Sequence, residues 1–229
     1  MRLYLGSAAS ADILRFGRRL KKGLGRFEKT RHLANVLDVT QAALAAAHAA
    51  TEALEAPLDD ASDDLKFAEL EAEAQVRRLW NRTKELDGDR VGPITKVGFP
   101  DGITAVLAPK GRAQGAALQK LRAAYDDSNA PEVAAHKTEL LAACDDARAL
   151  LAPAIEAWEA ADEAYDKAFA TEVRRRGEHR RTVDAIFGGI REALPGETKL
   201  QNAIVPRVDK PGKPAKSDTD DDGGEPTPS

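Results

Sequence analysis

Residues 37–86 read LDVTQAALAAAHAATEALEAPLDDASDDLKFAELEAEAQVRRLWNRTKEL. Leu37, Leu44, Thr51, Leu58, Leu65, Ala72, Leu79 and Leu86 recur in them every seventh residue. Thr40, Ala47, Leu54, Ala61, Ala68, Gln75 and Arg82 fall between. A seven-residue apolar repeat is the seam along which helices pack lengthwise. One line is mostly leucine and the other mostly small, which lets a partner backbone come close. The spacing therefore predicts antiparallel helix packing across residues 29–87. Pro57 interrupts the repeat chemically, removing a backbone hydrogen bond at a cost of ~3 kcal/mol. The register continues through it, so a kink is expected there, although Asp59, Asp60, Ser62, Asp63 and Asp64 are all residues that cap a restarted helix.

A second stripe runs through Leu140, Cys144, Ala147, Leu151, Ala154, Trp158, Ala161, Tyr165 and Ala168 at spacings of three and four. Helix is expected from about Glu132 to Leu194, with a kink at Pro153. Leu44, Leu54 and Pro57 match Leu140, Leu150 and Pro153 at an offset of 96, a hint of internal duplication. Residues 116–127 also read as helix. Before the first long region, Ile13, Phe16, Leu20 and Leu24 share one face of a short amphipathic helix over 10–24, with Ser10 as its cap and a break near Gly23–Gly25.

Between the long regions, residues 88–114 are rich in Gly and Pro and carry two β-prone runs, Ile94–Val97 and Ile103–Leu107. Phe99-Pro100-Asp101-Gly102 is a turn in which Pro100 presets φ and Gly102 accepts a positive one. A small β-hairpin-like connector is expected. The chain thus reads as mainly α: a basic amphipathic helix in residues 1–28, a helical bundle in 29–204 and a disordered acidic tail in 205–229. The bundle would be a long coiled-coil-like hairpin, or a four-helix bundle if the prolines fold each region back. A helix of some 55 residues would span ~80 Å.

Composition narrows the function. Of 229 residues, 5% are aromatic, which disfavours a β-sandwich or barrel. The one cysteine, Cys144, excludes an internal disulfide or a multi-cysteine zinc cage. No apolar run approaches the ~20 residues of a membrane span, and the apolar start is too short for a signal-peptide core. A soluble, cytoplasmic protein is expected. The histidines His32, His48, His136 and His179 are preceded three residues earlier by Lys29, Ala45, Val133 and Arg176, so the Glu-x-x-His pattern of di-iron bundles is absent. No His-Glu-x-x-His helix or phosphate-binding loop occurs. Glu132 and His136 lie one turn apart and read as an exposed ion pair. Cys144, beside Asp145 and Asp146, reads as a buried core residue. Trp158, Tyr165 and Phe169 read as packing, and Trp80 as a ring beside arginines. Nothing points to a catalytic residue, metal, cofactor or small-molecule substrate.

The net charge of −4 hides alternating blocks. Residues 1–35 hold nine Lys/Arg and two Asp/Glu, 36–75 one and ten, 76–125 ten and four, and 126–172 three and twelve. Residues 173–216 hold eleven and five, and 217–229 none and five. Opposite blocks attract, within the fold or between copies. The leading expectation is a non-enzymatic structural or partner-binding protein that self-associates through the heptad seam and these blocks. The alternative is a peripheral binder of an anionic membrane or nucleic acid. Its anion-binding candidates are Arg18, Arg19, Lys21 and Lys22 on the first helix and Arg174, Arg175, Arg176, Arg180 and Arg181 on the last.

Overall fold

The computed structural model describes residues 8–206. Of these 84% are helical, and no strand occurs among them. In chain order the helices are α1 (Ser10–Leu24), α2 (Arg31–Leu86), α3 (Pro93–Gly98), α4 (Thr104–Leu107), α5 (Arg112–Asp127), α6 (Pro131–Ala134), α7 (Lys137–Ala193) and α8 (Thr198–Ile204), with a 3-10 turn at Glu28–Thr30. The long helices α2 and α7 pack against each other, as the heptad repeat predicts. The acidic tail expected from residue 205 lies outside the described residues from 207 onward. The described residues fall into two compact units, one of residues 8–41 with 179–206 and one of residues 42–178.

In the second unit, His48 meets Glu172 and Arg82 meets Glu139, so α2 and α7 run antiparallel. The heptad line points inward throughout: Leu44, Thr51, Leu65, Ala72 and Leu79 are buried, and Leu58 and Leu86 half-buried. The companion line is half-buried as far as Ala68 and then changes register. Val76 and Thr83 are buried, whereas Gln75 is half-buried and Arg82 exposed, paired with Glu139 at 2.6 Å. The cause is geometric. A straight helix of 3.6 residues per turn drifts ~20° per heptad from a 3.5-residue repeat, so the buried position moves from three residues after the leucine line to four.

Both prolines lie inside continuous helices, so neither folds its region back on itself. Pro57 and Pro153 are exposed, and so are Ala53 and Ala149, whose carbonyls lose their amide partners. Water can satisfy those carbonyls, which keeps the penalty tolerable.

The connector corrects the β-hairpin expectation, because Ile94–Val97 lies in α3 and Thr104–Leu107 forms α4. Asp87 explains the first. Its carboxylate accepts hydrogen bonds from the amides of Gly92, Ile94 and Thr95 and from the Thr95 hydroxyl, at 2.7–3.1 Å. Burial alone would raise its pKa, but the four donors outweigh that and hold it below the ordinary carboxylate value. These are the amide donors that a helix start leaves open, and Pro93 enters the first turn without needing one. The anticipated turn at 99–102 is present, with the Gly102 amide bonded to the Phe99 carbonyl at 3.1 Å and a φ of +81° at Gly102. Ile94, Phe99, Leu107, Leu118, Leu121 and Tyr125 then join α2 and α7 in one apolar core. Trp80 packs edge-on against Phe99 at 5.1 Å, not on an arginine.

In the first unit, Ile13, Phe16, Leu20 and Leu24 of α1 are buried with Leu37, Ile186, Phe187 and Ile190. Phe16 and Phe187 meet edge to face at 6.5 Å. Ala9, not Ser10, occupies the cap position of α1, and no side chain caps it. Ser10 is the first helical residue and is buried. The helix ends at Leu24, as the glycines suggest, and the Thr30 hydroxyl donates to the Leu24 carbonyl at 2.9 Å. Gly188 and Gly189 sit within α7; the stop comes at Pro195-Gly196, where φ of Gly196 is +76°. Sequence periodicity gave no sign of α8. It fits because Gly23 has no side chain: a Cβ there would lie 2.2 Å from the Ile204 carbonyl oxygen.

Two glycine substitutions should therefore move stability in opposite directions in urea unfolding. Gly23→Ala forces α8 off α1 and should cost about 2 kcal/mol. Gly177→Ala, with nothing within 4 Å of its new methyl, should stabilise α7 by up to about 1 kcal/mol.

Candidate functional site

Burial of the apolar face of α1 turns its charged face to water. Arg15, Arg18, Arg19, Lys22 and Arg26 are all exposed, at spacings of three and four that form one stripe. Lys21 lies off this stripe and pairs with Asp38 at 2.6 Å. Arg19, Lys22 and Arg26 line a cavity of about 290 Å³ with Gly23, Ala203, Ile204 and Pro206. Among its described residues the first unit carries twelve Lys/Arg against six Asp/Glu, a net charge of +6.

The second basic cluster is divided. Arg175 bonds Glu178 at 2.6 Å and Arg176 bonds Glu172 at 2.7 Å, so the fold's own carboxylates answer two of the five guanidinium groups. Arg176 also lies over the Phe169 ring, 5.6 Å from its centre. Arg174, Arg180 and Arg181 are exposed. The boundary between the compact units falls after Glu178, so this run does not form a single patch within either one.

The α7 stripe continues beyond Ala168 into polar residues, and sequence reading missed this. Glu172 and His179 stand at heptad spacing from Tyr165 and are both buried. The Glu172 carboxylate lies 3.4 Å from His48 Nδ1, and His48 Nε2 lies 3.3 Å from Glu52. His179 Nδ1 lies 3.1 Å from the Thr40 hydroxyl. Burial lowers the His179 pKa below the ordinary histidine value, so the ring is held neutral. Polar groups inside an apolar seam are costly unless paired, and this fixes which residues can face one another.

The second unit is the acidic one, with seventeen Lys/Arg against twenty-six Asp/Glu, a net charge of −9. Part of that charge forms a face. Glu159, Asp162, Glu163 and Asp166 on α7 line a cavity of about 610 Å³ with Trp158, Ala170, Arg112 and Lys167. Arg112 pairs with Glu159 at 2.6 Å and Lys167 with Glu163 at 2.5 Å, while Asp162 and Asp166 extend the row. The acidic block was legible by composition, but its concentration on one helix face was not. Phe169 and Val173, 41% and 47% exposed, continue this face, so Phe169 is not a core ring as expected.

Cys144 is fully buried, and burial pushes its thiol up to about 12, far from a reactive thiolate. His136 lies 4.0 Å from Glu139, not against Glu132. Among the described residues no group of three or more His, Cys, Asp or Glu is placed to hold a metal ion. No described helix is long and apolar enough to cross a membrane.

The buried His179 sets a pH dependence. Its folded pKa lies below the unfolded value near 6.5, so the unfolded chain binds the proton first. The stabilisation is complete above pH 6.5 and is lost as pH falls toward the folded pKa. The urea midpoint of the wild type should fall as pH drops below about 6.5, and His179→Asn should flatten that slope. No family model matches the chain, and no curated protein or solved structure does so either.

Proposed function

We propose that the protein is a non-enzymatic helical protein of assembly and partner binding, which self-associates through complementary charge. The observation that carries this reading is the division of the chain into a unit whose described residues carry a net charge of +6 and a unit of −9. Opposite charges of that size attract between copies at low ionic strength and are screened at distances beyond ~10 Å in 0.1 M salt. The heptad leucines are covered within one chain, so they build the scaffold and leave the joint between copies to the charged faces. A cytoplasmic setting goes with this reading.

Light scattering tests it. The mass should exceed the 24.6 kDa of one chain in roughly 50 mM salt and fall back to it near 0.5 M. A monomer at every salt concentration removes the reading.

A second reading is favoured by the basic stripe of α1, which lies in a unit that is net basic by itself. A basic unit of this kind suits a polyanionic surface, either anionic membrane or nucleic acid. Salt-sensitive binding to anionic vesicles or DNA should then disappear when Arg18, Arg19, Lys21 and Lys22 are changed to Gln. Binding that survives those changes defeats it.

A further inference from the structure

The two charged faces share a spacing. On α1 the exposed cations Arg15, Arg18, Arg19 and Lys22 stand at positions i, i+3, i+4 and i+7, and Arg26 follows two residues past the helix end. On α7 the acidic row Glu159, Asp162, Glu163 and Asp166 stands at i, i+3, i+4 and i+7, with Ala170 at i+11. Each row of four covers one side of its helix for about 10 Å, at 1.5 Å per residue. Each also borders a cavity, lined by three cations in the first case and four carboxylates in the second.

We infer that the basic face of α1 in one copy docks on the acidic face of α7 in a second copy. This rests on the self-association proposed above and names its two surfaces. Four cations of α1 lie opposite four carboxylates at the same pitch, so every helical turn brings one attractive pair or more. Apolar surface lies alongside: Trp158 is half-buried at the edge of the acidic cavity, and Phe169 and Val173 extend the α7 face in an exposed apolar step. Their burial adds a term that salt does not screen. Arg112 and Lys167 already pair with Glu159 and Glu163, but such exposed pairs contribute little and exchange partners readily.

The contact joins two different surfaces, so it is heterologous. Each copy still offers one basic face and one acidic face after one contact forms, and assembly runs to rings or open chains instead of stopping at a two-fold dimer. An interface this small and charge-rich belongs among weak, reversible encounters.

A charge-swap experiment tests the assignment in the full-length chain. One variant carries Arg18→Glu, Lys22→Glu and Arg26→Glu; the other carries Asp162→Lys, Glu163→Lys and Asp166→Lys. Every altered side chain is exposed except the half-buried Asp162, and unchanged helicity and melting temperature establish that both fold. At low salt each variant alone should associate at least about tenfold more weakly than the wild type. An equimolar mixture should recover association to within about threefold, because the reversed α1 of one variant now matches the reversed α7 of the other. A control with Arg31→Glu, Arg180→Glu and Arg181→Glu has the same net charge as the first variant and should associate like the wild type. The proposal is overturned if the wild type associates while either swap leaves its affinity within about twofold, if the mixture stays monomeric, or if the control is weakened as much as the α1 variant. Any of those outcomes leaves self-association standing with another surface. A wild type that is monomeric in the same buffer overturns both.

Discussion

The antiparallel seam between α2 and α7 is the contact on which the remaining structure is built. Helices of 56 and 57 residues have no stable existence in water by propensity alone; they persist because one face of each is covered. Every fully buried leucine of that face is worth roughly 2 kcal/mol against exposure, so a handful outweighs the cost of one proline. Once the seam exists, other elements need only local devices to attach to it. Asp87 gathers four donors and starts α3, α5 contributes Leu118, Leu121 and Tyr125 to the core, and α1 lays Phe16 against Phe187.

Polar residues on the same seam limit the ways in which it can form. Sliding one helix past the other by a turn would part Glu172 from His48 and His179 from Thr40, breaking polar contacts inside the seam. Alanine and leucine alone would be more tolerant of such slips. The pairing of these few residues converts a sticky stripe into a defined register, in the way that a single buried polar position sets register in coiled coils.

What could be read from the sequence follows from how far each interaction reaches along the chain. The leucine line, the inward side of α1 and the burial of Cys144 are periodic and local, and all were legible. The displacement of the companion line to Val76 and Thr83 was not, since it depends on how straight α2 stays. The short helices escaped for another reason. α3 depends on a carboxylate several residues upstream, and α8 on a gap in a side-chain surface about 180 residues away at Gly23, neither of which leaves a local pattern. β-branched residues in 94–97 and 103–107 therefore misled, because tertiary contacts override propensity in such short runs. At the surfaces, the basic stripe of α1 was visible as the complement of its apolar face. The answering of Arg175 and Arg176 by Glu178 and Glu172 was open to inspection at i+3 and i−4 spacing, yet a count of clustered arginines hid it.

The exposed prolines impose a further condition on how the molecule meets others. Beside Pro57 and Pro153 the carbonyls of Ala53 and Ala149 have no amide to accept from, and only hydration completes them. Any protein surface that sealed those patches would strand an acceptor in a dry contact, at about 1–3 kcal/mol apiece. These stretches of the two long helices must stay wet, and lateral stacking of chains along them is discouraged from within the backbone itself.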